Sequence, residues 1–296
     1  MFNRDFMDYH QDRFEDFSLL VFKNKELVAI LPANIYKGIL HSHQGLSYGG
    51  LILQKQVKLN EVIKICKSIF LFLFSEGIQK VHLKLLPNIY HELPSDEIDY
   101  VLFLLKAKRT RVDISSVIET TLALKIQPNR IEGVKKAQRQ GLRIEQSTDF
   151  ETFWNEILIP NISYQHSAKP THTLEEISLL ANHFPNNIFL FNVYQGDTLV
   201  GGTTIFETKH VANVQYISGD KNKQALGTLD FLFEYLIKEK FSSKKYFSFG
   251  ISNENEGQNI NDGLLYWKES FGARSISYEF YEIETINHNL LDSVFI

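Results

Sequence analysis

The segment Ser218-Gly219-Asp220-Lys221-Asn222-Lys223 runs into a stretch of helical spacing that begins at Gln224. Free backbone N–H groups at a helix start, together with the helix macrodipole, favour a phosphate, and Lys221 and Lys223 add positive charge. An ordinary strand-to-helix turn with solvated lysines fits the same residues. A second polar stretch, from Gln165 to His172, holds His166, Lys169 and His172 between two helical patterns. A histidine there could deprotonate an amine near neutral pH, with Lys169 binding substrate; a solvated loop is the plainer alternative. His41-Ser42-His43 places two imidazoles on one strand face, a spacing that also suits a metal. No third His, Cys or carboxylate lies nearby in the sequence, so no metal is expected. The following Gln44 to Gly50, which includes Tyr48, reads as bent strands bordering an acceptor cleft.

Gln215 and Tyr216 are neighbours in a strand-like run, so strict alternation sends them to opposite faces and at most one into a cleft. A buried Gln215 requires hydrogen-bond partners. From Lys125 to Arg143 six basic residues stand against Glu132, a local charge of +5. That stretch, Arg130 included, could hold the phosphates of a nucleotide-sugar or of a tRNA acceptor end. It also fits a solvated helix face with Glu132 and Lys136 paired at i, i+4. Cys66 lies on an apolar helix face and reads as core.

These residues belong to a chain of 296 with 31 Lys or Arg and 35 Asp or Glu, a net charge of −4. The mild acidity argues against nucleic acid as a bulk partner. A hydrophobic fraction of 44% with 16 Gly and 7 Pro excludes disordered and collagenous chains. One cysteine excludes an internal disulfide framework and a cysteine-built zinc site. The first residues lack a basic stretch followed by an apolar one, so no signal peptide is expected. The longest apolar runs, Ile69 to Phe74 and Val101 to Leu105, fall far short of the roughly 20 residues a membrane span needs. The expected location is cytoplasmic.

The elements that must position these residues repeat. In the first half a hairpin over 17–36 precedes a helix over 60–76, a strand over 80–86, a helix over 95–106 capped by Ser95, and a strand over 109–124. In the second half a hairpin spans 187–207 around Gln195-Gly196-Asp197. A strand over 210–217, a helix over 224–240, a strand over 245–249, a helix over 261–271 and a strand over 274–283 come after it. The central helices and the two later strands are displaced by 164, 165 and 165 residues (60 to 224, 80 to 245, 109 to 274), which argues for duplication of one unit. Asn129 with Glu132, Thr148 with Glu151, and Thr173 with Glu176 read as capping boxes that open helices. One boundary near 126 gives domains of 1–125 and 126–296.

The order hairpin, strand, helix, strand, helix, strand resembles the GNAT acyltransferase fold. Phe249-Gly250-Ile251-Ser252 followed by Gly263-Leu264-Leu265-Tyr266-Trp267-Lys268-Glu269-Ser270-Phe271-Gly272 is similar to the ending motif of Fem-like peptidoglycan aminoacyltransferases and their tandem-GNAT relatives. Arg130 to Gly141 resembles the basic stretch that opens their second unit. The resemblance implies an α/β (α+β) fold of two tandem GNAT-like units, each a mixed, mostly antiparallel sheet flanked by helices. It also implies acyl-CoA, and acetyl-CoA above all, as co-substrate. Gln224-Ala225-Leu226-Gly227-Thr228 keeps the Gln and first Gly of the family's pyrophosphate loop but lacks its second Gly. The donor is therefore expected along Ile217, Ser218, Gly219, Lys221, Lys223, Gln224, Gly227 and Thr228, with Ser252 and Asn253 beside it. Tyr266 matches the tyrosine that protonates the departing thiolate. The strand holding Gln215 takes the place of the one that splays from its neighbour and lends amides to the oxyanion.

The resulting expectation is transfer of an acyl group from acyl-CoA to an amine on an amino sugar or other cell-envelope precursor. Tyr266 is the expected acid, Gln215 lies at the thioester, and His166 or His172 is the base. His41, His43, Tyr48, Arg130 and Lys169 would contact the acceptor. Two alternatives stay open: a Fem-like enzyme that takes its donor from aminoacyl-tRNA, and a non-catalytic binding protein on the same scaffold.

Overall fold

Leu19–Lys23 and Glu26–Leu31 pair antiparallel about Asn24-Lys25, where Asn24 turns the chain with φ +57°. They open a computed structural model that describes residues 2–166 and 169–296, the side chains of 163–166 excepted. Two compact units emerge, Met1–Asp113 with Ser277–Ile296, and Ile114–Ile276.

In the first unit Ile52–Leu53 joins that hairpin as a third strand. A second sheet runs in the order Glu15–Asp16, Asn34–Tyr36, Ile39–His41, Lys80–Lys84 and the C-terminal strand, of which Phe280 to Glu284 pair with Lys84 to Lys80. Ile39–His41 and Lys80–Lys84 are parallel, so the chain must cross over between them, and the helix Leu59–Ser75 provides the crossover. Its Val62, Ile65, Cys66, Ile69 and Leu73 recur at three- and four-residue spacing and fill the core with Leu40, Val81, Leu83 and Ile283.

The second unit runs Leu142–Ser147, Ile188–Gln195, Thr198–Glu207, Val211–Gly219, Tyr246–Ile251, and then the distal half of Lys108–Glu119. Val211–Gly219 and Tyr246–Ile251 form the parallel pair here. Phe191, Phe233, Phe247, Phe249 and Phe271 are buried beneath them, several edge-to-face.

Both units thus contain strand, crossover, parallel strand, and the offsets 80 to 246, 97 to 262 and 108 to 274 are 166, 165 and 166 residues. The strand next to each parallel pair comes from the other half of the chain. Residues 115–119 pair with Tyr246–Ile251, and residues 280–284 pair with Lys80–Lys84. Compactness therefore divides the chain at 113/114 and 276/277, where sequence order placed one boundary at 125/126.

Four local elements differ from the sequence pattern. The helix over 224–240 is broken: Lys223–Leu226 ends at Gly227 (φ +73°), Thr228–Tyr235 restarts, and Leu236–Lys240 is a π-turn. Pro128 opens its helix without a side-chain cap, because Asn129 bonds the Arg130 amide and Tyr266 instead. Asp149 rather than Thr148 caps the next helix, and Ser95 bonds Glu97 without capping. The Thr173–Glu176 capping box is present with both of its bonds.

Candidate active site in the second unit

The parallel pairing in the second unit stops early. Val211, Ala212 and Asn213 pair with Tyr246, Phe247 and Ser248, and from Val214 onward Val211–Gly219 has no partner strand on that side among the described residues. A bulge accompanies the divergence: Thr204 faces Tyr216 and Ile205 faces Val214, which leaves Gln215 as the extra residue. A bulge bends its strand and re-aims the side chains beyond it. Ala212, Val214 and Ile217 pack with Leu232 and Phe233. Tyr216 instead lies edge-on to Trp154, and the Ser218 hydroxyl donates to the Ile157 carbonyl at 3.2 Å. Asp220 N–H donates to Val200 O at 3.0 Å, continuing the ladder to Thr198–Glu207. Alternate residues of an antiparallel strand bond to opposite sides, so the backbone groups of Ile217 and Gly219 point away from that ladder, towards the side the parallel strand has left.

Lys268 reaches the end of the diverging neighbour. It lies on the helix Asp262–Glu269 and is 3% exposed. Its ammonium donates to the carbonyls of Gly250 at 3.0 Å and Ile251 at 2.6 Å. These carbonyls are turned towards it where Gly250 adopts φ +73° and the pairing with residues 115–119 shifts register. Burial lowers its pKa to about 7, because the charged form loses hydration that two carbonyls replace only in part. Ser252, 3% exposed, lies one residue on, and its hydroxyl has no hydrogen-bond partner among the described residues.

The structure brings two of the sequence-predicted residues together through a third. The Tyr216 hydroxyl lies 2.6 Å from His172 Nδ1 and accepts from the His172 backbone N–H at 3.0 Å, and the Gln215 side chain also bonds it. Gln215 and Tyr216 therefore meet on one side of the strand, contrary to strict alternation, because Gln215 is the extra residue of the bulge. Burial raises the Tyr216 pKa. His172, itself 5% exposed, is a ring fixed against the strand rather than a solvated loop residue. The side chain of His166 lies outside the described residues, and Lys169 is exposed.

The loop before Gly227 is satisfied from within. Asp220 Oδ1 accepts from the Asn222 N–H at 2.9 Å, and the Asp220 carbonyl accepts from the Lys223 N–H at 3.2 Å. Lys223 Nζ donates to Asn161 Oδ1 at 3.3 Å, and burial lowers its pKa. A Cβ on Gly227 would come within 2.1 Å of the Gly133 carbonyl, so Gly227 serves close helix packing. Thr228 is fully buried. Lys221 and Gln224 remain exposed. This arrangement fits a pyrophosphate poorly.

Other predicted residues are placed elsewhere. Tyr266 is 52% exposed, and its hydroxyl meets Asn129 at 3.1 Å and Gln127 at 3.4 Å, not the diverging strands, so it lacks the geometry of a thiolate acid. Arg130 pairs with Asp230 at 2.7 Å. Asn253 accepts from the Ile114 N–H and bonds Gly257 and Asn259, which ties down its own turn. His41 and His43, in the first unit, part company because His43 turns with φ +65°. His41 meets His82 at 4.9 Å, whereas His43 is buried near Phe14. Burial lowers both pKa values to about 4. Tyr48 is buried against Tyr90, in the same unit. No group of three or more metal-ligating side chains occurs among the described residues.

Neither Lys268 nor Tyr216 stands out in the sequence as a site residue. Lysine on an amphipathic helix ordinarily reads as surface, and the one available signal is its place within the Gly263–Gly272 motif. Nothing in the sequence shows that Tyr216 would find a buried partner.

No protein-family model and no curated protein matches the sequence. Solved structures do match. One described as FemX is 10% identical with a TM-score of 0.67, covering 96% of this chain and 91% of that one. The C-terminal domain (DUF2156) of a putative lysylphosphatidylglycerol synthetase from Agrobacterium fabrum is 8% identical with a TM-score of 0.62, covering 97% and 92%. A tandem GNAT protein from the clavulanic acid biosynthesis pathway is 11% identical with a TM-score of 0.50, covering 96% and 88%. The chain has a Fem-like, tandem-GNAT fold.

Proposed function

We propose that the second unit transfers an acyl or aminoacyl group from an activated carboxyl donor to an amine. The observation that carries this reading is the early end of pairing at Asn213 and Ser248, after which Val211–Gly219 continues for six residues with backbone groups directed to the open side. An extended donor arm fits such an edge, since main-chain hydrogen bonds from Ile217 and Gly219 fix its direction. The Lys268 ammonium lies where the strands part. A charge held there in low dielectric favours the negative charge that develops as the donor's carbonyl is attacked, and a pKa near 7 also allows it to give a proton to the leaving group. The His172–Tyr216–Gln215 contacts hold the bulge that opens the edge. The acceptor remains of the amine class; an amino sugar or cell-envelope precursor follows from the motif resemblance alone.

One observation favours an aminoacyl ester carried by tRNA over acyl-CoA. Asp220 takes the Asn222 and Lys223 amides at the entry to the Gln224–Thr228 loop, while Lys125, Lys135 and Arg139 stay exposed for a phosphate backbone. The test is transfer from acetyl-CoA and from a total aminoacyl-tRNA mixture to a panel of amines, with thermal shift alongside. A shift and turnover with either donor supports the transferase, and tRNA is expected to give the larger effect. A shift without turnover would favour a binding protein, and neither shift nor turnover with both donors would sink the proposal.

A further inference from the structure

Asp230 gathers three helices. From Thr228–Tyr235 its Oδ1 accepts from Arg130 Nη1 at 2.7 Å on Pro128–Arg139 and from Trp267 Nε1 at 3.1 Å on Asp262–Glu269. Its Oδ2 abuts Gly133, where a Cβ would come within 2.0 Å. The charged groups facing it are Arg130 and Lys136, both on Pro128–Arg139. Trp267 precedes Lys268, and its ring packs against Phe233, Phe249 and Phe271 while the lysine reaches Gly250 and Ile251.

We propose that Asp230 is a positioning residue for Lys268, holding the Trp267 indole so that the next side chain lies buried at the strand end. The need arises from elementary costs. A helix of eight residues has little stability of its own. A lysine ammonium away from water is costly, and its flexible stem extends to solvent unless the backbone beneath it is fixed. The packed ring fixes the position of Trp267, and the indole N–H to Asp230 fixes its rotation about the helix axis. A turn of that helix would carry Lys268 away from both carbonyls. The catalytic importance of this device rests on the function proposed above, but its geometry does not.

The test reads Lys268 directly, by NMR titration of the lysine side chains of the full chain, without any substrate, with Lys268→Met assigning the signal. Trp267→Phe keeps an aromatic ring against Phe233, Phe249 and Phe271 and removes the N–H together with the rest of the pyrrole ring. Its Lys268 is expected to titrate at least one pH unit higher than in the wild type, as the side chain regains water. Asp230→Asn keeps an acceptor for the indole and is expected to leave the Lys268 titration within about 0.3 units. An unchanged titration in Trp267→Phe together with lowered stability would make Asp230 a packing residue and overturn the proposal. A shift in Asp230→Asn without one in Trp267→Phe would overturn it equally, by assigning the effect to the Arg130 pair. If Trp267→Phe fails to fold, Gly133→Ala displaces Asp230 without removing a polar group, and the same shift is required of it. Loss of transfer activity in Lys268→Met tests the proposed function separately.

Discussion

Lys268 spans two carbonyls that carry no formal charge, so its burial leaves a specific signature. In Lys268→Met the stem is kept and the ammonium removed; transfer is expected to fall by about 10²- to 10³-fold, the range for losing a preorganised electrostatic contact. Full turnover in a steady-state assay would remove Lys268 from the chemistry. Stability gives a second reading. Its folded-state pKa, about 7, lies below the ordinary 10.5, so between those values the unfolded chain binds a proton that the folded chain does not. Stability must then rise with pH across that window. Urea unfolding at pH 6.5, 8 and 9.5 should show the wild type gaining on Lys268→Met; a flat or falling difference would contradict the buried placement. Tyr266 gives the opposite forecast. Its hydroxyl is exposed on a pair of surface amides, so Tyr266→Phe should change stability by no more than about 0.5 kcal/mol and leave the transfer rate within about twofold. A large loss of rate would restore it as the acid.

Elements fail where a neighbour intrudes. Periodicity through 224–240 is continuous, yet the helix breaks at Gly227 because Pro128–Arg139 approaches so closely that a side chain has no room. Gly141 also has positive φ, +69°, but nothing lies within 4 Å of a Cβ there. The two glycines separate backbone strain from crowding. Gly141→Ala should cost about 1 kcal/mol for the left-handed conformation alone. Gly227→Ala adds overpacking and should cost roughly 2 to 4 kcal/mol. Equal losses in denaturant unfolding would mean that the helices can move apart freely. The bulge at Gln215 is a similar case. Alternation predicted opposite faces for Gln215 and Tyr216, and one extra residue in the ladder placed both on the His172 side.

Across the whole chain, each half ends in a strand that completes the other compact unit. Ile283, although near the C-terminus, is fully buried and pairs with Val81 in the first unit. Ile283→Asp places an unpaired carboxylate there and should cost about 3 kcal/mol or more. Hydrogen exchange should report the loss at the Val81 and Leu83 amides. Unchanged protection at those amides would disprove the pairing.

Sequence alone determined the duplication, the alternating apolar runs, the crossover helices and the capping box at Thr173, because each depends on neighbours within a few residues or on a constant offset. It also pointed to the Val211–Gly219 region through its likeness to a known motif. Tertiary structure decided where pairing stops, which strand completes which unit, and which polar groups are already satisfied. Asp220, Arg130 and His172 all carry chemistry suited to a ligand, yet each is held by a protein partner: Asp220 by nearby loop amides, and Arg130 and His172 by groups distant in sequence. Lys268 looks like surface in one dimension and is buried in three, since desolvation depends on the packing of helices whose spacing no local pattern records.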